Sequence, residues 1–182
     1  GETIDGLRLR EGVVAAGSSV EVQITGRVGT NVPAGADTAL LNLTAVNPTQ
    51  SGFATVYPCG TRPQSSSLNF DQNVNKANAV VAKLTAAGSV CIFVERTTNL
   101  IVDVTGYATS STLASVTPVR LLDTRPTGAT IDNLFAAGGF VDGGTVVKVR
   151  VAGREGVPSG ARLVALSVVA VLWHHTVGHD SS

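Results

Sequence analysis

Charged and aromatic residues are scarce in this chain of 182 residues: they make up 14% and 4% of it, and the formal net charge is zero. Because the basic residues are few and scattered, the sequence predicts no surface for nucleic acid or for an anionic membrane. The longest apolar run, 163–173, is too short to span a bilayer, so we expect no membrane insertion. Methionine is absent, so we expect a processed chain or an excised fragment.

Histidine is absent before residue 174, which leaves no base for a Ser-His-Asp arrangement unless the C-terminal residues fold back. The GxSxG motif of a hydrolase nucleophile is also missing. His175 and His179 have the spacing at which two imidazoles on a helix bind one metal ion, but Gly178 disfavours a helix. We therefore interpret this pair as adventitious metal binding or as part of a disordered tail.

Cysteine occurs only twice, at Cys59 and Cys91. Neither position has the CxxC spacing of a redox or zinc motif. The pair fits a single disulfide that closes a loop of about thirty residues, and it also fits two buried thiols.

An internal repeat organises the chain. Residues 17–36 match 144–161 with a gap of two residues at Thr30 and Asn31, and Thr3-Ile4-Asp5 recurs about 127 residues later. Glycine, arginine and proline recur in register, as expected where the same turns are made twice. We divide the chain into a first repeat (1–117), the first half of a second repeat (118–171) and a non-homologous tail (172–182).

Alternation of apolar and polar residues predicts strands throughout. In 20–24 valine and isoleucine alternate with Glu21 and Gln23, and 147–151 repeats this pattern. No stretch has a sustained helical period, so we predict an all-β, antiparallel β-sandwich of the jelly-roll or immunoglobulin-like kind. The other predicted strands are 39–46, 52–58, 66–70, 79–84, 90–95 and 100–106.

The first repeat contains no counterpart of the segment 118–128. We therefore predict that this segment packs back onto the first repeat and completes its sheet. The remaining half repeat would then expose edge strands, which predicts a homodimer formed through those strands.

Several sequence elements resemble a repeat of secreted actinobacterial proteins, where such modules form tandem arrays or are appended to extracellular hydrolases. The resemblance implies secretion to the cell surface or medium, an all-β module and a disulfide between Cys59 and Cys91. It implies no settled activity. The elements are RLLDTR (120–125), GVPSGA (156–161), LNLTAVNPTQSGFATVYPCG (41–60), SSLNF (66–70), SVCIF (89–93) and LIVDVTGY (100–107).

Two aspartates are candidates for a polar site. Asp123 and Arg125 share one face of a predicted strand, and Arg120 lies on the other. We favour a structural role, in which Asp123 accepts backbone N–H groups beside an arginine, over a role in calcium binding. Asp103 lies in an apolar run, where a buried carboxylate needs Arg120, Arg125 or a metal ion as its partner.

Oxygen-rich residues also suggest a calcium site around Asp71 and Asn73, because Ca²⁺ prefers oxygen ligands. An ordinary polar turn is the alternative for this stretch. Together with Asp103 and Asp123, these residues are the predicted metal ligands.

Two functions follow as hypotheses. The first is a non-catalytic, secreted surface module that binds carbohydrate or a cell-envelope polymer. The second is a calcium-dependent hydrolase of ester, lactone or glycosidic bonds.

Overall fold

The computed structural model describes residues 3–7, 12–109, 113–114, 116–162 and 164–170. Within these ranges the chain forms seven strands and no helix, and so contains no helix that is able to cross a membrane. The strands are β1 (Ser19–Gln23), β2 (Thr38–Val46), β3 (Gly52–Tyr57), β4 (Leu68–Phe70), β5 (Lys76–Lys83), β6 (Ser89–Val94) and β7 (Asn99–Ala108).

The strands form two antiparallel sheets, which confirms the predicted all-β sandwich. One sheet has the order β1-β6-β3-β4 and the other the order β5-β2-β7. All six strands predicted within 39–106, and the strand at 20–24, are present with small shifts of their ends.

Alternation along the strands builds the core between the sheets. On β2, Leu41 and Leu43 point inward and are 2% and 0% exposed, and Ile92 of β6 meets them from the other sheet at 0%. Burying one such side chain contributes about 1.5–3 kcal/mol. The recurrence of aliphatic residues at every second position of such a strand therefore determines which of its faces packs into the core.

A disulfide joins Cys59 to Cys91, as the resemblance implied. Cys91 lies on β6 opposite Tyr57, the last residue of β3, so the bond ties the end of β3 and its following turn to the neighbouring strand. Its partners are 32 residues apart, and closing a loop of that length stabilises the fold by about 3–4 kcal/mol in the chain-entropy picture.

The second copy forms no strand in the described part of 118–170, apart from a single bridge between Asp123 and Ala136. The predicted strands at 120–125 and 147–151 are therefore not found, and 118–128 adds no strand to either sheet. In the first copy β1 pairs with β6, and β2 pairs with β5 and β7, whereas the described residues of 118–170 include no strand that could act as a partner of this kind.

The turns of the two copies nevertheless agree. The amide of Gly26 donates to the Val32 carbonyl in the first copy, as the amide of Gly153 donates to that of Val157 in the second. Both glycines have positive φ, 70° and 80°, a conformation that favours glycine. The repeat is thus preserved in its turns even where its strands have no partners.

Candidate functional site

The outer face of the sheet β5-β2-β7 exposes several apolar side chains. Three cross-strand rows build it, because residues paired in register project on the same side. The first and third rows carry exposed apolar side chains. In the first row Leu40 and Val81 are 38% and 42% exposed, and in the third row Ile101 is 50% exposed. The rows are Val81–Leu40–Gly106, Ala79–Asn42–Asp103 and Ala77–Thr44–Ile101.

The central row carries the polar groups of this face. Asn42 of β2 is paired directly with Asp103 of β7, which places their Cβ atoms about 4.5–5.5 Å apart. Side-chain amide and carboxylate groups together offer two donors and several acceptors to a ligand. Ala79 on the other side of Asn42 is small, so the row is open toward β5.

Asp103 is exposed, contrary to the expectation of a buried carboxylate. β7 lies at the edge of its sheet, and Leu100, Val102 and Val104 take its inward positions while Asp103 faces outward. The apolar run around Asp103 therefore reflects one buried face and one exposed apolar face.

Arg120 and Arg125 contact Asp123 instead. The Arg125 guanidinium donates to both carboxylate oxygens, Nε to Oδ1 at 2.9 Å and Nη2 to Oδ2 at 2.6 Å, and Arg120 Nη1 donates to Oδ2 at 3.1 Å. The Arg125 amide also donates to Oδ1 at 3.2 Å. The hydrogen bonds from Arg125 lower the pKa of Asp123 to about 2. This is the structural role favoured from the sequence.

A second type of Asp–Arg pair occurs once in each copy. Arg27 donates to Asp5 and Arg154 donates to Asp132 through the same two bonds, Nε to Oδ2 at 2.7 Å in both and Nη2 to Oδ1 at 2.5 and 2.6 Å. Hydrogen bonding from the arginine lowers the pKa of each aspartate to about 2. Sequence reasoning missed these pairs, although the recurrence of both residues at one offset was the signal for them.

Arg154 is almost fully buried and connects three separate parts of the second copy by hydrogen bonds. Its Nη1 donates to the carbonyls of Leu121 and Arg150 at 3.0 and 2.9 Å, and its guanidinium carbon lies 5.3 Å from the ring centre of Phe135. An open cavity of about 420 Å³ adjoins this cluster. Because the Arg154 guanidinium already binds groups of its own chain, we assign this cluster a structural role and not a role in ligand binding.

The outer face of the four-stranded sheet carries an aromatic cluster. The rings of Phe53 and Phe93 are 6.0 Å apart, and the Arg62 guanidinium lies 4.2 Å from the centre of the Phe93 ring. Arg62 thus occupies the ring face on which a ligand would stack.

The predicted calcium ligands occupy separate elements. Asp71 is exposed and lies 3.6 Å from Lys76 Nζ, while the amide of Asn73, a residue with φ of 57°, donates to the Pro48 carbonyl. Both residues act in a turn. Among the residues that the structure describes, no three His, Cys, Asp or Glu side chains form a group suited to a metal ion. His175 and His179 lie outside the described residues.

Comparison with known proteins found no matching family model, no similar curated protein and no similar solved structure.

Proposed function

We propose that this chain is a non-catalytic binding module of a secreted protein, and that the outer face of β5-β2-β7 binds carbohydrate or a related cell-envelope polymer. The observation that carries the proposal is the row of half-buried Asn42 and exposed Asp103, which lies between two rows with apolar side chains. The resemblance to secreted actinobacterial repeats is in line with this function.

The chemistry of the face suits a glycan. Sugars present hydroxyl groups, which Asn42 and Asp103 can hydrogen-bond, and C–H surfaces, which Leu40, Val81 and Ile101 can cover. The face carries one carboxylate, Asp103, and one ammonium group, that of Lys83, which pairs in register with Thr38, so a neutral polymer is favoured over an anionic one. The disulfide fits an oxidising, extracytoplasmic compartment.

The test is co-sedimentation of the purified chain with insoluble polysaccharides and cell-wall preparations, followed by calorimetry with soluble oligosaccharides of any polymer that binds. We expect Asn42→Ala and Asp103→Ala each to weaken binding by about tenfold or more, because hydrogen bonds to a ligand are lost. Asp71→Ala is the matched control, since Asp71 is 65% exposed on a turn outside this face. Unchanged binding by both face variants would refute the assignment of the site.

The alternative of a calcium-dependent hydrolase gains no support from the described geometry. Asp71 follows β4, Asp103 lies on β7 and Asp123 lies in 118–128, where arginines surround it.

A further inference from the structure

One strand position on the outer face of β5-β2-β7 carries no side chain. Gly106 of β7 is paired in register with Leu40 of β2, whose exposed side chain lies on this face. A Cβ atom built on Gly106 would lie 3.6 Å from Leu40 Cδ1, so the missing side chain belongs to the same face. The face therefore has a shallow notch where the Leu40 side chain meets the backbone of β7.

Neither the backbone conformation nor the packing requires glycine at this position. The φ angle of Gly106 lies outside the left-handed region that favours glycine, and 3.6 Å is an ordinary van der Waals distance. Among the described residues, Leu40 is the one neighbour that such a Cβ atom would contact. Glycine within a strand otherwise marks a bulge or a place where a ligand approaches the backbone closely.

A β-bulge lies directly beside the notch. The register of β7 against β2 shifts after Leu40, where Thr105 is an extra residue without a partner on β2. Thr105 is exposed, and its Oγ1 donates to the Leu40 carbonyl at 3.1 Å, which leaves the lone pairs of this oxygen for a ligand. The bulge itself does not account for the glycine, because a bulge requires glycine only at a residue with positive φ.

We propose that the notch at Gly106 seats a sugar ring flat against the backbone of β7, which selects polymers whose ring substituents are all equatorial. This inference rests on the proposed function. A ring of this kind presents only C–H groups on its two faces, so it can lie over Gly106 and against Leu40. Its rim hydroxyl groups then reach Thr105 and, in the adjacent row of the same face, Asp103.

An axial hydroxyl group would be excluded by the same geometry. Directed toward the sheet, it would point into the notch, hold the ring away from the backbone and lose its water without gaining a hydrogen bond. The favoured ligand is therefore a neutral, β-linked polymer of gluco configuration, and sugars with an axial hydroxyl group are disfavoured.

The test is calorimetry with cellohexaose and mannohexaose, two β-linked chains that differ in one hydroxyl group per ring, equatorial in the first and axial in the second. We expect the wild type to bind cellohexaose about tenfold or more tightly than mannohexaose. Gly106→Val should weaken cellohexaose binding by about tenfold or more, and Gly106→Ala by less, because the added methyl groups occupy the seat of the ring. Gly143→Val is the matched control, since Gly143 is exposed outside both sheets, and a Cβ atom there meets nothing within 4 Å.

Urea denaturation shows whether Gly106→Val is folded, and we expect no loss of stability because valine is favoured in strands. Equal binding of the two oligosaccharides by the wild type overturns the inference, as does unchanged cellohexaose binding by the folded valine variant. In either case the proposed function stands if Asn42→Ala still weakens binding. A wild type that binds neither oligosaccharide also overturns the inference, and the proposed function then stands or falls with the co-sedimentation series.

Discussion

Individual ion pairs between aspartate and arginine stabilise the segments that lie outside the two sheets. Asp123, with a side chain 5% exposed, accepts hydrogen bonds from two arginines and a backbone amide in a segment that has almost no sheet. The sequence predicted this structural role from a strand face shared by Asp123 and Arg125, with Arg120 on the opposite face; the structure has no such strand, and both arginines contact Asp123. It did not predict the exposure of Asp103, which follows from the outward position of this residue on β7.

Asp123→Asn tests the role of this carboxylate. The substitution keeps the shape and removes the charge, so we expect local opening around residues 123–139 to become easier by about 1–3 kcal/mol. The measurement is hydrogen exchange of the amides of Asp123, Ala137 and Gly139, which donate to carbonyls within this segment. Asp71→Asn, at an exposed turn, should leave their exchange unchanged.

The pH dependence of that opening follows from the lowered pKa of Asp123, about 2 in the folded chain. In the opened segment the carboxyl group titrates near its usual value of about 3.9. Its contribution to stability is therefore complete above about pH 4 and is lost as the pH falls toward 2. The Asn variant should lose this part of the acid dependence, and an identical profile in both proteins would contradict the role.

At the scale of elements, strand positions were predictable where aliphatic and polar residues alternate, as they do in β1 and along most of β2. The partners were not predictable, since alternation tells which face is buried and says nothing about the neighbouring strand. The same limit applies to 147–151 and 164–170. Both repeat the alternation of β1 and β2, but neither forms a strand in the part of the chain that the structure describes.

Two adjacent leucines of β2 test the inward and outward assignment. Leu41→Ala should lower the free energy of unfolding by about 2–5 kcal/mol, because it leaves a cavity in the core. Leu40→Ala removes the same atoms from the exposed outer face and should cost less than about 1 kcal/mol. Urea denaturation of both variants provides the comparison, and equal losses would show that the register of β2 is wrong.

At the scale of the whole molecule, the first copy builds a sandwich with a disulfide, and the second copy contributes a turn cluster and unpaired aliphatic segments. The candidate site was only partly predictable from the sequence. Asp103 was singled out, whereas Asn42 was missed as a site residue because only the register of β2 against β7 brings the two together.

The most direct test of the proposed binding face is NMR titration of the isotope-labelled chain with an oligosaccharide from a polymer that it binds. We predict chemical-shift changes confined to β2, β5 and β7, with the largest at Asn42 and Asp103. Changes centred on the cluster of Phe53, Phe93 and Arg62, or on the cavity beside Arg154, would contradict the account, as would the absence of binding to every polymer tested.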